Sequence, residues 1–70
     1  MKKTYEDFKK LVKIIELDGY KMRYNECSGE YEFVSENEVI SIYDHYNEET
    51  CSSDWDRICK ELKKEFNYLF

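Results

Sequence analysis

Trp55, Ile58, Cys59, Leu62, Phe66 and Leu69 recur at helical intervals, which lays six apolar side chains along one stripe of a helix. Such a stripe has to be buried, and one other segment of the chain matches it in kind. Tyr5, Phe8, Leu11, Val12 and Ile15 also share helical spacing, and Thr4 stands where it can cap them with Asp7 three residues on. The spacing predicts a first helix running to about Leu17 and closed by Asp18-Gly19, since glycine accepts the left-handed backbone that ends helices. The final helix is expected to be capped by Ser52 or Ser53. Asp54 and Asp56 in its first turn, and Lys60, Lys63 and Lys64 late on its solvent side, suit the helix dipole.

Between the helices the period changes from that of a helix to two. In "YKMRYN", Tyr20, Met22 and Tyr24 fall on one side and Lys21 and Arg23 on the other; in "EYEFVS", Tyr31 and Phe33 alternate with Glu30 and Glu32. Ser28-Gly29 is a hairpin signal. A two-residue turn there sets Tyr24 opposite Phe33, Met22 opposite Ser35 and Lys21 opposite Glu36, with Lys21 and Arg23 able to pair with Glu32 or Glu36. "ENE" at 36–38 makes the next turn. "EVISIY" follows as a third strand, and its weaker alternation marks it as the central or most buried one. The segment from Asp44 to Cys51 reads as a polar loop. The expected fold is α+β: α-β-β-β-α, a three-stranded antiparallel sheet with two helices packed on one face, in a single domain over residues 1–70.

Seventy residues sit near the lower limit for one hydrophobic core without disulfides or metal, and the 17% aromatic content answers that limit because each ring buries a large area. The basic start "MKKTYEDFKK" is followed by no apolar stretch of the kind a signal peptide carries, and no run approaches a membrane span. A cytosolic chain with reduced thiols is expected. Cys27, Cys51 and Cys59 are odd in number, lack a CxxC spacing and share one histidine, so neither a disulfide framework nor a zinc site is indicated.

Asp44-His45 beside those cysteines raises the possibility of catalysis. A nucleophilic thiol needs an electropositive neighbourhood, and this one is acidic; no acid, base and nucleophile can be assembled, so no enzyme, catalytic residue or cofactor is expected. "DHYNEET" lacks the residue order and the glycine of a calcium loop, and no metal site is expected. The element order is also that of double-stranded-RNA-binding domains. Those domains place lysines at the start of the last helix, whereas this helix begins "SSDWDR", which argues against direct contact with nucleic acid.

The informative feature is charge. The formal net charge of −5 hides a segregation: residues 24–56 hold ten acids and no lysine or arginine, and the basic residues lie on either side. Asp54 and Asp56 have a structural explanation and a solvated face explains others. Ten like charges nevertheless repel one another and cost stability, which points to a use for them. Alternate strand residues project from one face roughly 6 to 7 Å apart, so Glu30/Glu32 and Glu36/Glu38 can present a row of anions of the sort basic clefts read in DNA. Asp44, Glu48 and Glu49 extend the row, and Tyr43 and Tyr46 are interleaved as contact anchors.

In size, charge and element order the chain resembles the small acidic anti-CRISPR proteins of phages and prophages, the resemblance being carried by "GEYEFVSENEVISIYDHYNEE". It implies a nucleic-acid mimic that plugs the basic cleft of a defence nuclease, a Cas effector for instance. The partner-binding residues expected on this reading are Glu30, Glu32, Glu36, Glu38, Tyr43, Asp44, Tyr46, Glu48 and Glu49. The alternative is a housekeeping or oligomer-forming module whose acids only keep it soluble.

Overall fold

A computed structural model describes residues 2–70. The first helix, α1 (Tyr5–Leu17), starts at a complete capping box: the Asp7 amide donates to Thr4 Oγ1 (3.4 Å), and the Thr4 amide donates back to Asp7 Oδ2 (2.8 Å). The Thr4 amide first, and the Thr4 hydroxyl (3.1 Å to Asp7 Oδ2) second, hold the Asp7 carboxyl below its ordinary value. Gly19, with φ of 103°, turns the chain into β1 (Lys21–Asn25). Then come β2 (Glu30–Val34), β3 (Val39–Tyr43), a small hairpin of β4 (Tyr46–Asn47) and β5 (Ser52–Ser53), and α2 (Trp55–Glu65), which ends in a 3-10 turn over Asn67–Leu69.

The expected α-β-β-β-α order is present, and both helices pack on the face of the sheet that carries Phe33 and Ile42. Phe8, Val12 and Ile15 of α1 meet Ile58, Cys59, Leu62 and Phe66 from the last helix over Tyr20, Phe33 and Ile42, in one contiguous core. Phe66 closes it, crossing Tyr20 at 82° (5.1 Å between centroids) and Phe33 at 73° (5.6 Å), the edge-to-face geometry that rings prefer. Trp55 is half-buried at the margin, against Phe8 and Tyr5.

Several expectations are corrected. The strand order is β1-β2-β3, so β2 is central and β3 is an edge, with Val39 and Tyr43 exposed; weak alternation in "EVISIY" reflects an apolar edge and not a buried centre. The first hairpin pairs Met22 with Phe33, Tyr24 with Tyr31 and Lys21 with Val34, two residues away from the expected register. The cause is Asn25. Its Oδ1 accepts from the amides of Cys27 (3.0 Å) and Ser28 (3.4 Å), and the Gly29 amide reaches Asn25 O (2.8 Å), which makes a four-residue loop out of an expected two-residue turn. A slip of two keeps every side chain on its face, so the core was placed correctly despite it. The turn at 36–38 is as expected, with Ser35 Oγ accepting from the amides of Asn37 and Glu38.

The segment from Asp44 to Cys51 is not a plain loop, because β4 pairs with β5 (Tyr46 with Ser53, Asn47 with Ser52). Neither serine caps α2. Asp54 does, accepting from the Arg57 amide at 3.2 Å. The apolar stripe also outlasts its helix: α2 stops at Glu65, and Leu69 reaches the core from the 3-10 turn.

Candidate functional site

The acids of the middle segment are sorted by the fold into three surface groups, Glu30 among them only partly exposed, and a set of structural residues. On β2, Glu30 and Glu32 project together from the outer face of the sheet, as strand alternation requires. Glu32 lies opposite Arg23, whose Nε donates to Glu32 Oε1 at 2.7 Å, and only 17% of the Glu32 side chain is accessible. This is the cross-strand pair that the alternation of "KMRYN" and "EYEFVS" anticipates. It neutralises one member of the row.

Glu36 and Glu38 do not continue that row. Both stand in the β2–β3 turn, and Glu38 Oε1 accepts the Tyr20 phenol at 2.5 Å, a bond that raises the Tyr20 pKa. Asp44 is the clearest departure from a surface role. It is buried, with 7% of its area accessible, and its carboxylate accepts from the Tyr24 phenol (2.5 Å) and the Tyr46 amide (3.1 Å). The bond to Asp44, with burial second, pushes the Tyr24 phenol up to about 12. Asp44 therefore holds the sheet end and the small hairpin together and is withdrawn from any partner-binding row.

Glu48 and Glu49 occupy the exposed β4–β5 turn, where their side chains make no hydrogen bond among the described residues. Tyr43 and Tyr46 are half exposed; the Tyr43 ring meets His45 edge-on at 5.2 Å. His45 Nε2 is 3.0 Å from Glu61 Oε1, which ties the start of the hairpin to α2. The three anionic groups are thus the β2–β3 turn (Glu36, Glu38), the opposite end of the sheet (Glu26, Glu30) and the hairpin turn (Glu48, Glu49). Glu30 and Glu36 are six residues apart along nearly extended chain, about 20 Å at the usual strand rise.

The remaining chemistry-bearing groups are placed apart. Cys59 is buried in the core and burial pushes its thiol pKa up, whereas Cys27 and Cys51 are exposed on separate loops. A hollow of about 210 Å³ opens beside α2 between Lys2, Lys3, Thr50, Trp55 and Asp56. It is small for a ligand pocket, and its lysines face carboxylates, so it presents no single-signed field. Among the described residues no helix is long and apolar enough to cross a membrane. The chain matches no family model, and no curated protein or solved structure is significantly similar to it.

Two features escaped the sequence reading. The burial of Asp44 depends on a phenol twenty residues earlier and carries no local signal. The open backbone edge of β3 did carry one, since Val39 to Tyr43 contain no charge.

Proposed function

We propose that this chain is a non-enzymatic acidic binding protein of the cytoplasm that engages a basic surface of a nucleic-acid-binding protein, as a phage or mobile-element inhibitor plugging the cleft of a defence nuclease would. One observation carries the reading. Of the ten acids between Tyr24 and Asp56, only Glu32 and Asp54 take a basic side-chain partner among the described residues. The other eight form no ion pair with a lysine or arginine among the described residues, and a domain this small gains no stability from such repulsion. The separation of Glu30 from Glu36 spans about six phosphates of one DNA strand, given one phosphate per ~3.4 Å of strand. Tyr43 and Tyr46, exposed beside these acids, add apolar contact area of the kind that anchors interfaces.

The test is charge reversal with the partner captured from host lysate. Glu48→Lys with Glu49→Lys alters side chains that hold nothing in the fold, so the domain stays folded and binding weakens, chiefly in the association rate, with the loss shrinking as salt rises. Lys63→Glu with Lys64→Glu, on the exposed side of α2, leaves binding nearly unchanged. DNA competes with the protein for its partner. Equal effects from the two reversals, or binding indifferent to salt and to DNA, would leave the charge a matter of solubility.

A further inference from the structure

The ladder between β2 and β3 has a fixed parity. The Ser35 amide donates to Glu38 O and the Asp44 amide to Gly29 O, each at 2.9 Å, and these bonds bracket the register Phe33–Ile40 and Tyr31–Ile42. Hydrogen-bonded pairs alternate along an antiparallel ladder, so Ile40 and Ile42 spend their N–H and C=O groups on β2. Val39, Ser41 and Tyr43 direct theirs to the open edge, and their side chains lie on the exposed outer face. No hydrogen bond to these outward groups exists among the described residues.

Folded proteins guard such edges with charge, proline or a bulge. The opposite edge obeys this rule, since β1 carries Lys21 and Arg23. β3 does not: it reads Val39-Ile40-Ser41-Ile42-Tyr43 in unbroken register, without charge, proline or bulge. Charge appears only beyond its ends, and it is acidic at both. Glu36 and Glu38 precede the strand, and Glu30 lies beside Tyr43 at its other end; Asp44, which follows, is buried and bonded within the fold.

That arrangement selects the occupant. A second copy paired antiparallel about Ser41 sets the Glu36/Glu38 end of each chain beside the Glu30 end of the other, and a parallel pairing in register sets Glu38 against Glu38; both bring like charges together. An extended segment with lysine or arginine at its ends and an uncharged centre meets complementary charge at both ends and open hydrogen-bonding groups between. We propose that the β3 edge takes such a segment of the partner protein as a fourth strand, through backbone bonds to Val39, Ser41 and Tyr43. The proposal rests on the acidic-binding reading above and specifies the surface that does the binding.

The probe is the peptide Lys-Lys-Val-Thr-Val-Thr-Val-Lys-Lys, with two twins N-methylated on one or the other alternate set of central amides, so that charge is constant and strand pairing is blocked from one side. Amide hydrogen exchange and titration are read on the intact protein. The parent peptide slows exchange at Val39, Ser41 and Tyr43, while Ile40 and Ile42 are slow with or without it. One twin binds like the parent, and the other binds roughly tenfold or more weakly because its edge-facing donors are gone. Ser41→Pro weakens parent binding to a similar degree. It removes an N–H outside the ladder, and retained protection of Ile40 and Ile42 verifies the fold.

Twins that both match the parent, with salt-sensitive affinity, overturn the edge proposal and leave the acidic-binding reading standing. No binding by any of the three peptides overturns the edge proposal, and the acidic-binding reading falls with it only if the Glu48/Glu49 reversal also leaves partner capture unchanged. Slow exchange of Val39, Ser41 and Tyr43 in free protein that sediments as a dimer or larger species overturns it in favour of self-pairing.

Discussion

The Tyr24 phenol, at the inner face of β1, donates to Asp44 Oδ2 just past the end of β3, and so links the two outer strands across the central one. Tyr31, opposite Tyr24 in the register, tilts its ring at 53° to that of Tyr24 with 4.8 Å between centroids. The carboxylate has a second donor in the Tyr46 amide, and through it the small hairpin shares the same anchor.

Tyr24→Phe keeps the ring and removes the hydroxyl, which leaves the buried Asp44 one donor short. The expected result is a lowered midpoint in urea denaturation at neutral pH. The variant also changes the alkaline limb. In the folded protein the phenol titrates at about 12 against an ordinary value of 10.0, so the stability its bond contributes is whole below pH 10 and is lost as pH rises through about 12. Wild-type stability therefore falls across that window. The Tyr24→Phe protein falls less steeply, keeping the parts due to Tyr20 and Tyr68, whose phenols are also raised by bonds to Glu38 and Asp18, and to Tyr31 and Cys59, which burial raises. Identical slopes would show that Tyr24 and Asp44 are not bonded in solution.

Thr4→Ala removes the hydroxyl that caps α1 and is expected to cost about 1 kcal/mol. Asp7, held below its ordinary 3.8 by the same box, contributes stability that is present above that value and is lost as pH falls through its lower folded pKa. Acid denaturation of the Thr4→Ala variant should accordingly lose a minor part of its pH dependence below 3.8: the Thr4 backbone amide, the first cause of the Asp7 shift, remains in alanine, and only the hydroxyl, the second cause, is gone.

Phe33 and Trp55 separate the centre of the core from its margin. Phe33→Ala empties a fully buried site on the central strand; a loss of roughly 3 to 5 kcal/mol approaches the whole stability of a small domain. Trp55→Ala, at a half-buried position against Tyr5 and Phe8, should cost less and leave a cooperative unfolding transition. Circular dichroism at 20 °C distinguishes the two, an unfolded Phe33→Ala from a folded Trp55→Ala being the expected pair.

The thiols report on opening. A thiol reagent such as Ellman's should label Cys27 and Cys51 promptly in native protein, whereas Cys59, at 1% exposure with its pKa raised by burial, should react only as fast as the core opens. Three equally fast thiols would place Cys59 outside the core.

Periodicity made the main elements readable. The stripes of Phe8, Val12 and Ile15 and of Ile58, Leu62 and Phe66, the Thr4 box and the alternation around Phe33 are local signals, and each is present. The register of the first hairpin was not local: it turned on whether the Asn25 side chain would bond the loop amides. β4 and β5 are two residues each, too short to show a period, and are fixed from outside by Asp44 and by the bond from the Asp54 amide to His45 O. The acidic segment was legible as charge but not as geometry. Which acids face solvent depends on Tyr20, Arg23 and Tyr24, which precede every one of those acids in the chain and meet them only across the sheet.

Phe66 packs against Tyr20 and Phe33, Tyr68 bonds Asp18 fifty residues away, and the Lys3 amide reaches Asp56 across 53. The ring contacts that complete this core, and the surface bonds that flank it, are therefore remote in the chain, and their loop-closure entropy has to be met before they give anything back. Neither helix nor the meander has an apolar face that it can cover alone. Fragments ending before Phe66 should collapse without ordering, and the whole should fold in a single slow step compared with a helical bundle of the same length, its last turn arriving as the event that commits the rest.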